Sequence, residues 1–307
     1  EVPAGKYTYK ETIEPSGFAL NTETFSFEMD VYGKVTGKTE ITNEPITFML
    51  NKVNTFTNKP FANIEFTLKD AEGNVVKTKM TEDGYRVAAE DGSETFAVDE
   101  NGYAEFRYLS AGVYKLVENT PIGYISDDEF SISLTDAHAL SAPNKLTVEN
   151  CPTGLKILKR EASSGNPLSG AGFRIKIRDG LGFETLSFTK LENGSFFYDP
   201  NGTVMDMMVD GKGEILIHGL PLGDLWIEES IVPEGYFPVS AARIELKKEH
   251  TSTIPFDVTI KNSKYVKLGM DSDWWEFPAL MLGIALAVGG AVTFIVVKRK
   301  RTKKSEV

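Results

Sequence analysis

The chain has 307 residues, 41% of them hydrophobic, and a formal charge of −11 at pH 7. Such length and apolar content suit folded domains rather than a disordered chain, and the acidic balance excludes the basic patch on which nucleic-acid binding depends. With a single cysteine, Cys151, no disulfide can form within the chain, so domains exposed to an oxidising exterior need another device to lock them.

From the N-terminus, residues 1–45 read as three strands, 6–11, 24–29 and 38–43, with a turn at Pro15, Ser16 and Gly17. Three strands cannot bury both faces of a sheet, so this stretch is expected to be the C-terminal remnant of a truncated domain, with further sequence upstream. Its first strand opens a phrase that recurs twice. Tyr7 to Glu11, then Pro15, Gly17 and Phe18, returns as Tyr114 to Glu118 with Pro121, Gly123 and Tyr124, and again as Leu225 to Glu229 with Pro233, Gly235 and Tyr236. A glycine precedes each glutamate at one constant spacing (Gly5, Gly112, Gly223), and Val98, Asp99 and Gly102 match Val209, Asp210 and Gly213. The first halves match as well, Lys52, Pro60 and Phe66 corresponding to Lys159, Pro167 and Phe173, with a few extra residues in the later copy expected within 180–201. A repeat of roughly 110 residues is the size of a domain, not of a solenoid unit.

The complete repeats are expected at 46–152 and 153–264, punctuated by Pro45 and Pro152. Within them, short stretches rich in β-branched and aromatic residues (61–69, 103–108, 173–178, 213–217) alternate with Asp-Gly and Asn-Gly turns at Asp83, Asp91, Asn101, Asn193 and Asn201. No helical period is present before residue 265. The expected class is therefore all-β: tandem immunoglobulin-like β-sandwiches.

After a juxtamembrane linker at 265–276, residues 277–297 form an uncharged run rich in Leu, Ala, Val and Gly, which as a helix would span about 31 Å and so cross a bilayer. Trp274 and Trp275 lie at one end as interfacial aromatics, and Lys298, Arg299, Lys300, Arg301, Lys303 and Lys304 follow at the other, in a basic tail of residues 298–307. This pattern predicts a single-pass protein of the cell surface, its C-terminus in the cytoplasm and its N-terminal part outside. Of the −11 overall, the last ten residues hold +5, leaving −16 for the remainder. Gly283, Ala287 and Ala291 make a small-residue row that permits a helix-mediated dimer.

Side chains two apart on a strand share a face. By that rule Phe48, Leu50 and Lys52 point the same way, as do Leu155, Ile157 and Lys159. Tyr114, Leu116 and Glu118 do so too, like Leu225, Ile227 and Glu229, and like Tyr7, Tyr9 and Glu11. The closing strands direct Asn150 and Asn262 inward after Val148 and Ile260, and Asn43 after Ile41. Each complete repeat thus turns one lysine, one glutamate and one asparagine toward an apolar interior. Burial lowers the lysine pKa and raises the carboxyl pKa, which yields a nucleophilic amine beside a proton donor. Attack of the amine on the carboxamide carbon would expel ammonia in a single turnover.

The lysine near the start, the glutamate in the Tyr-x-Leu-x-Glu box before Pro-x-Gly-Tyr, and the terminal asparagine resemble the Cna protein B-type, or SpaA-like prealbumin-fold, domains of Gram-positive surface proteins and pilins. The resemblance covers nearly all of residues 1–263. It implies isopeptide bonds Lys52–Asn150 with Glu118 as catalyst and Lys159–Asn262 with Glu229, while the first stretch supplies Glu11 and Asn43 and would take its lysine from an upstream strand. It implies a structural stalk of a pilin or adhesin type, with a host ligand, a wall ligand or a pilus subunit as partner. Residues 46–152 and 153–264 are then two such domains and 1–45 part of a third. The middle box departs from the pattern by one residue fewer between Glu118 and Pro121, and no LPXTG-like sorting sequence precedes the membrane run, where Lys267 to Asp271 stand instead.

Two other classes compete: surface domains that bind a ligand without any cross-link, through 180–201 for instance, and an external enzyme, for which no catalytic set exists beyond the self-reacting triads. No cofactor or metal is expected. His138, His218 and His250 lack ligand spacing and read as surface or turn residues. Asp206, Asp210 and Glu214 lack calcium-loop spacing, Asp210 matching Asp99 as a turn residue. Cys151 reads as a small packing or edge residue.

Overall fold

Alternation of apolar and polar side chains decides the architecture, because every long strand buries one face and leaves the other to water. The computed structural model describes residues 2–265; the membrane run, the basic tail and nearly all of the linker before them lie outside the described residues. Those described divide into two units, one made of residues up to 121 with 126–150, the other of 122–125 with the residues from 151. Among the described residues no helix is long and apolar enough to cross a membrane, and every regular element is a strand.

In the first unit a lysine strand, Thr47–Asn54, lies between Tyr103–Arg107, antiparallel to it, and an asparagine strand, Asn144–Pro152, parallel to it. The facing sheet runs in the order Phe130–Leu134, the glutamate strand Gly112–Glu118, Glu65–Lys69 and Phe96–Ala97. Phe48, Leu50, Phe66, Leu68, Phe106 and Leu116 are fully enclosed between the sheets. Phe96 meets Phe106 edge to face at 4.7 Å, the arrangement that the ring quadrupoles favour.

The second unit repeats the plan. Its lysine strand, Gly154–Glu161, sits between Glu214–His218 and the parallel asparagine strand Phe256–Asn262. Opposite it lies a sheet in the order Gly182–Thr185, Gly172–Asp179, the glutamate strand Gly223–Ile231 and Ala242–Leu246. The residues at 180–201 are not a free loop: they contain Gly182–Thr185, Phe188–Lys190 and Phe196–Tyr198, each paired in a sheet.

The three turns after the glutamates share one device. Gly17, Gly123 and Gly235 have φ of 82°, 84° and 85°, a left-handed conformation that costs glycine nothing. In two of them the aromatic residue after the glycine donates its N–H back to the proline carbonyl, Phe18 to Pro15 at 3.0 Å and Tyr236 to Pro233 at 3.2 Å, closing the turn. The missing residue of the middle box leaves its glycine in the same conformation.

Residues 2–45 belong to the first unit. Gly5–Tyr9, Phe25–Met29 and Val35–Gly37 form a three-stranded antiparallel sheet with Tyr7 stacked on Phe27 at 5.3 Å. Ile46 N–H donates to Gly17 carbonyl, and Phe18 meets Tyr108 edge to face at 5.2 Å. One expected strand is corrected: 38–43 carries no ladder, and the third strand of this sheet is Val35–Gly37 instead. In both complete repeats the asparagine strand exists because a lysine strand pairs with it in parallel; beside 38–43 the described residues provide no such partner.

Candidate cross-linking sites

Each lysine is aimed by the backbone of its own strand. Lys52 donates its N–H to Gly102 carbonyl at 2.7 Å, and its own carbonyl accepts from Phe61 N–H at 2.9 Å. Lys159 repeats both bonds, to Gly213 at 2.7 Å and from Leu168 at 3.1 Å. Gly102 and Gly213 take φ of 67° and 66°, and a Cβ on either would come within 2.5 or 2.6 Å of the lysine carbonyl oxygen. The turns that present these glycines are closed by Asp99 and Asp210, whose Oδ1 atoms accept backbone N–H bonds from Asn101 and Tyr103 and from Lys212 and Glu214. Asp210 is thus a turn residue, and Asp206 is paired with Arg174 at 2.8 Å. Among the described residues no cluster has the makings of a metal site.

The side chains then converge. In the first unit Lys52 Nζ donates to Asn150 Oδ1 and stands 3.2 Å from Glu118 Oε2, while Asn150 Nδ2 donates to Glu118 Oε1 at 2.5 Å. Lys52 is 1% exposed and Asn150 0%. In the second, Lys159 Nζ donates to Asn262 Oδ1 and lies 2.8 Å from Glu229 Oε1, and Asn262 Nδ2 reaches both carboxylate oxygens at 2.8 and 2.9 Å. Lys159 and Asn262 are 0% exposed. Burial holds both lysines below their ordinary pKa, the attraction of the neighbouring glutamate opposing that only in part. Every member of each triad has a hydrogen-bonding partner, so none is left as an unsatisfied polar group in an apolar core.

Other contributors are not evident from sequence. Phe66 and Phe173 lie directly across the ladder from Glu118 and Glu229, and the Phe173 ring is 5.5 Å from Lys159 Nζ, part of the apolar wall that removes water. The glutamates are oriented by Ser126, whose Oγ donates to Glu118 at 2.8 Å, and by Val239, whose N–H donates to Glu229 at 3.2 Å. The matched spacing of Phe66 and Phe173 is a usable signal; a backbone donor such as Val239 leaves none. In the first 45 residues Asn43 Nδ2 donates to Glu11 Oε2 at 2.6 Å, and Asn21 N–H donates to the same oxygen at 2.8 Å.

Residues 46–146 and 153–264 both match the family described as "SpaA: Prealbumin-like fold domain". The chain belongs to the SpaA prealbumin-like family. Among solved structures it is similar to a streptococcal ancillary pilin (19% identity, 86% of this chain and 76% of that one, TM-score 0.35) and to the shaft pilin spaA of Lactobacillus rhamnosus GG (16%, 73% and 99%, TM-score 0.36). The Bacillus anthracis TIE protein is another such relative (22%, 86% and 43%, TM-score 0.37). No curated protein matches.

Of the three histidines, His138 and His250 each accept a backbone N–H three residues earlier, from Thr135 at 3.0 Å and Lys247 at 2.9 Å, as turn residues do. His218 departs from the expectation of a surface or turn position: it is 2% exposed, its Nδ1 is 3.1 Å from Ser252 Oγ, and it lies on a strand whose inner face is core. Cys151 is half-buried.

Proposed function

We infer that the two SpaA-like domains lock themselves with isopeptide bonds, Lys52 to Asn150 and Lys159 to Asn262, and that the chain serves as a cell-surface stalk of pilin or adhesin type. The lysine Nζ attacks Cγ of the asparagine, the C–N bond of the carboxamide breaks, and ammonia leaves with a proton relayed by Glu118 or Glu229. The observation that carries the reading is the convergence in each core of an amine depressed by burial, a carboxamide and a carboxylate that holds the departing nitrogen. Closing loops between residues 98 and 103 apart would stabilise each domain by about 4 to 5 kcal/mol, taking the disulfide as guide, which suits an extracellular chain with one cysteine. The membrane run at 277–297 and the basic tail support retention in a bilayer, with the domains outside.

The test is the intact mass of the purified chain. Two bonds lower it by two ammonias, about 17 Da each, and Glu118→Ala or Glu229→Ala each restores one of them. An unshifted mass would leave hydrogen-bonded polar clusters in ordinary sandwiches and would sink the cross-linked stalk.

A further inference from the structure

The two complete repeats hold their glutamates in different ways. In the second, Lys159 Nζ and Asn262 Nδ2 both meet Glu229 Oε1 at 2.8 Å, so the oxygen that faces the amine also holds the departing nitrogen. In the first, the two tasks fall on different oxygens: Lys52 Nζ stands 3.2 Å from Glu118 Oε2, while Asn150 Nδ2 donates to Oε1 at 2.5 Å. A proton taken from Lys52 therefore arrives on the oxygen that does not hold the leaving nitrogen. The third partner differs as well. Glu229 Oε2 accepts from the backbone N–H of Val239 at 3.2 Å, whereas Glu118 Oε2 accepts from Ser126 Oγ at 2.8 Å.

The repeated box accounts for the change of donor. Glu11 and Glu229 are each held by a backbone N–H ten residues later, from Asn21 and from Val239. The middle box has one residue fewer between its glutamate and its proline, and there the donor is a side chain eight residues on. A backbone N–H can only donate, while a hydroxyl donates its proton and accepts on its lone pairs. In the second repeat the proton lands on Oε1, so Oε2 stays an acceptor and the fixed N–H of Val239 suits it throughout. In the first, Oε2 itself becomes a donor once it carries the proton. A fixed N–H facing it would leave that proton without a partner, at a site where the Glu118 side chain is fully enclosed. Ser126 Oγ can turn and accept it.

We propose that Ser126 is a positioning residue for the first cross-link, donating to Glu118 Oε2 while the carboxylate is charged and accepting from it once it holds the Lys52 proton. The carboxyl then turns about its Cγ–Cδ bond, presenting the proton to Asn150 Nδ2 and its bare oxygen to Ser126, which donates again. The chemistry balances: Nζ bonds to Asn150 Cγ, the Cγ–Nδ2 bond breaks, one amine proton reaches the leaving nitrogen through Glu118, and Ser126 neither gains nor loses a proton. This rests on the reading given under Proposed function, which assigns the bond to Lys52 and Asn150 and gives Ser126 no part in it.

The experiment is a time course on the full chain, obtained unfolded and unlinked and refolded by dilution, with intact mass and peptide mapping to assign each loss of about 17 Da to its repeat. Ser126→Thr keeps a hydroxyl, and Ser126→Val has the same shape without one. Ser126 is half-buried and lies outside the apolar core, so both variants leave the packed residues in place. Ser126→Thr is expected to react at the native rate, and Ser126→Val to lose the ammonia of its first repeat at least about tenfold more slowly. The second repeat is the internal control and reacts at the native rate in all three chains. A native rate in the first repeat of Ser126→Val, equal slowing by Thr and Val, or slowing that extends to the second repeat would overturn the role of the hydroxyl and leave the cross-linked stalk standing. A native chain that loses no ammonia from its first repeat sinks that bond, and this proposal with it.

Discussion

Desolvation sets the lysines in these cores apart from surface charges and favours the neutral amine that the proposed reaction needs. At 0 to 1% exposure the amine loses water on every side, and the carboxylate beside it recovers only part of that loss, so the pKa stays below its ordinary value. The same physics acts on His218, which burial alone pushes down to about 4. Its neutral form is the one that the fold favours, so its full contribution is present above the unfolded pKa of about 6.5 and is lost as pH falls through 4. The difference corresponds to about 3 kcal/mol between those limits. Urea unfolding from pH 7 to 4 is therefore expected to show a steeper fall for the native chain than for His218→Phe; parallel curves would mean that the ring is not held neutral. The buried state of His218 was not legible in its neighbours: Ile217 and Gly219 flank it, and alternation from Ile215 and Ile217 places it on the outward face. What buries it is Ser252 and the backbone around it, contributed from another part of the chain.

At the scale of elements, the turn Asp99 to Gly102 and its counterpart Asp210 to Gly213 set where the lysines sit. Their glycines lie against the lysine carbonyls in a conformation disfavoured by about 1 to 2 kcal/mol for any other residue. Gly213→Ala pays that strain and also drives a Cβ to 2.6 Å from Lys159 carbonyl oxygen, so the lysine strand must shift. Gly165→Ala is the control, with φ of 73° but open space around it. The expectation is a loss of more than 2 kcal/mol and slowed ammonia release in the second repeat for Gly213→Ala, against about 1 kcal/mol and a normal mass for Gly165→Ala, measured by denaturant unfolding and a mass time course after refolding. Equal effects would remove the turn from the site's construction. The matched glycines were visible in the sequence, but their closeness to Lys52 and Lys159 was not, because Gly102 and Gly213 lie 50 and 54 residues after those lysines along the chain.

For the whole molecule, repetition organises the chain: the plan of lysine, glutamate and asparagine strands is used twice, and the glutamate and asparagine parts of it a third time. The proposed retention in a bilayer rests on the sequence of 277–297, and a chain ending at residue 265 is expected to leave the membrane fraction for the soluble one with the same mass deficit as the full chain. Continued sedimentation with membranes after carbonate extraction would move the anchor into the domains. The contrast matters because the acidic remainder, −16 in charge, has little electrostatic attraction to an anionic lipid surface.

The sequence by itself determined the repeat, the all-β class and the residues of each triad, because periodicity is local and a strand tells its two faces apart at every second residue. Alternation failed where burial comes from outside the strand, as at His218, and where a strand needs a neighbour to exist, as at 38–43. Only the tertiary structure decided that the three side chains of a repeat meet, which groups orient the glutamates, and that Asn43 meets Glu11. Those are relations between residues far apart in the chain, set by how strands pair and sheets pack, and no local pattern encodes a distance across a core.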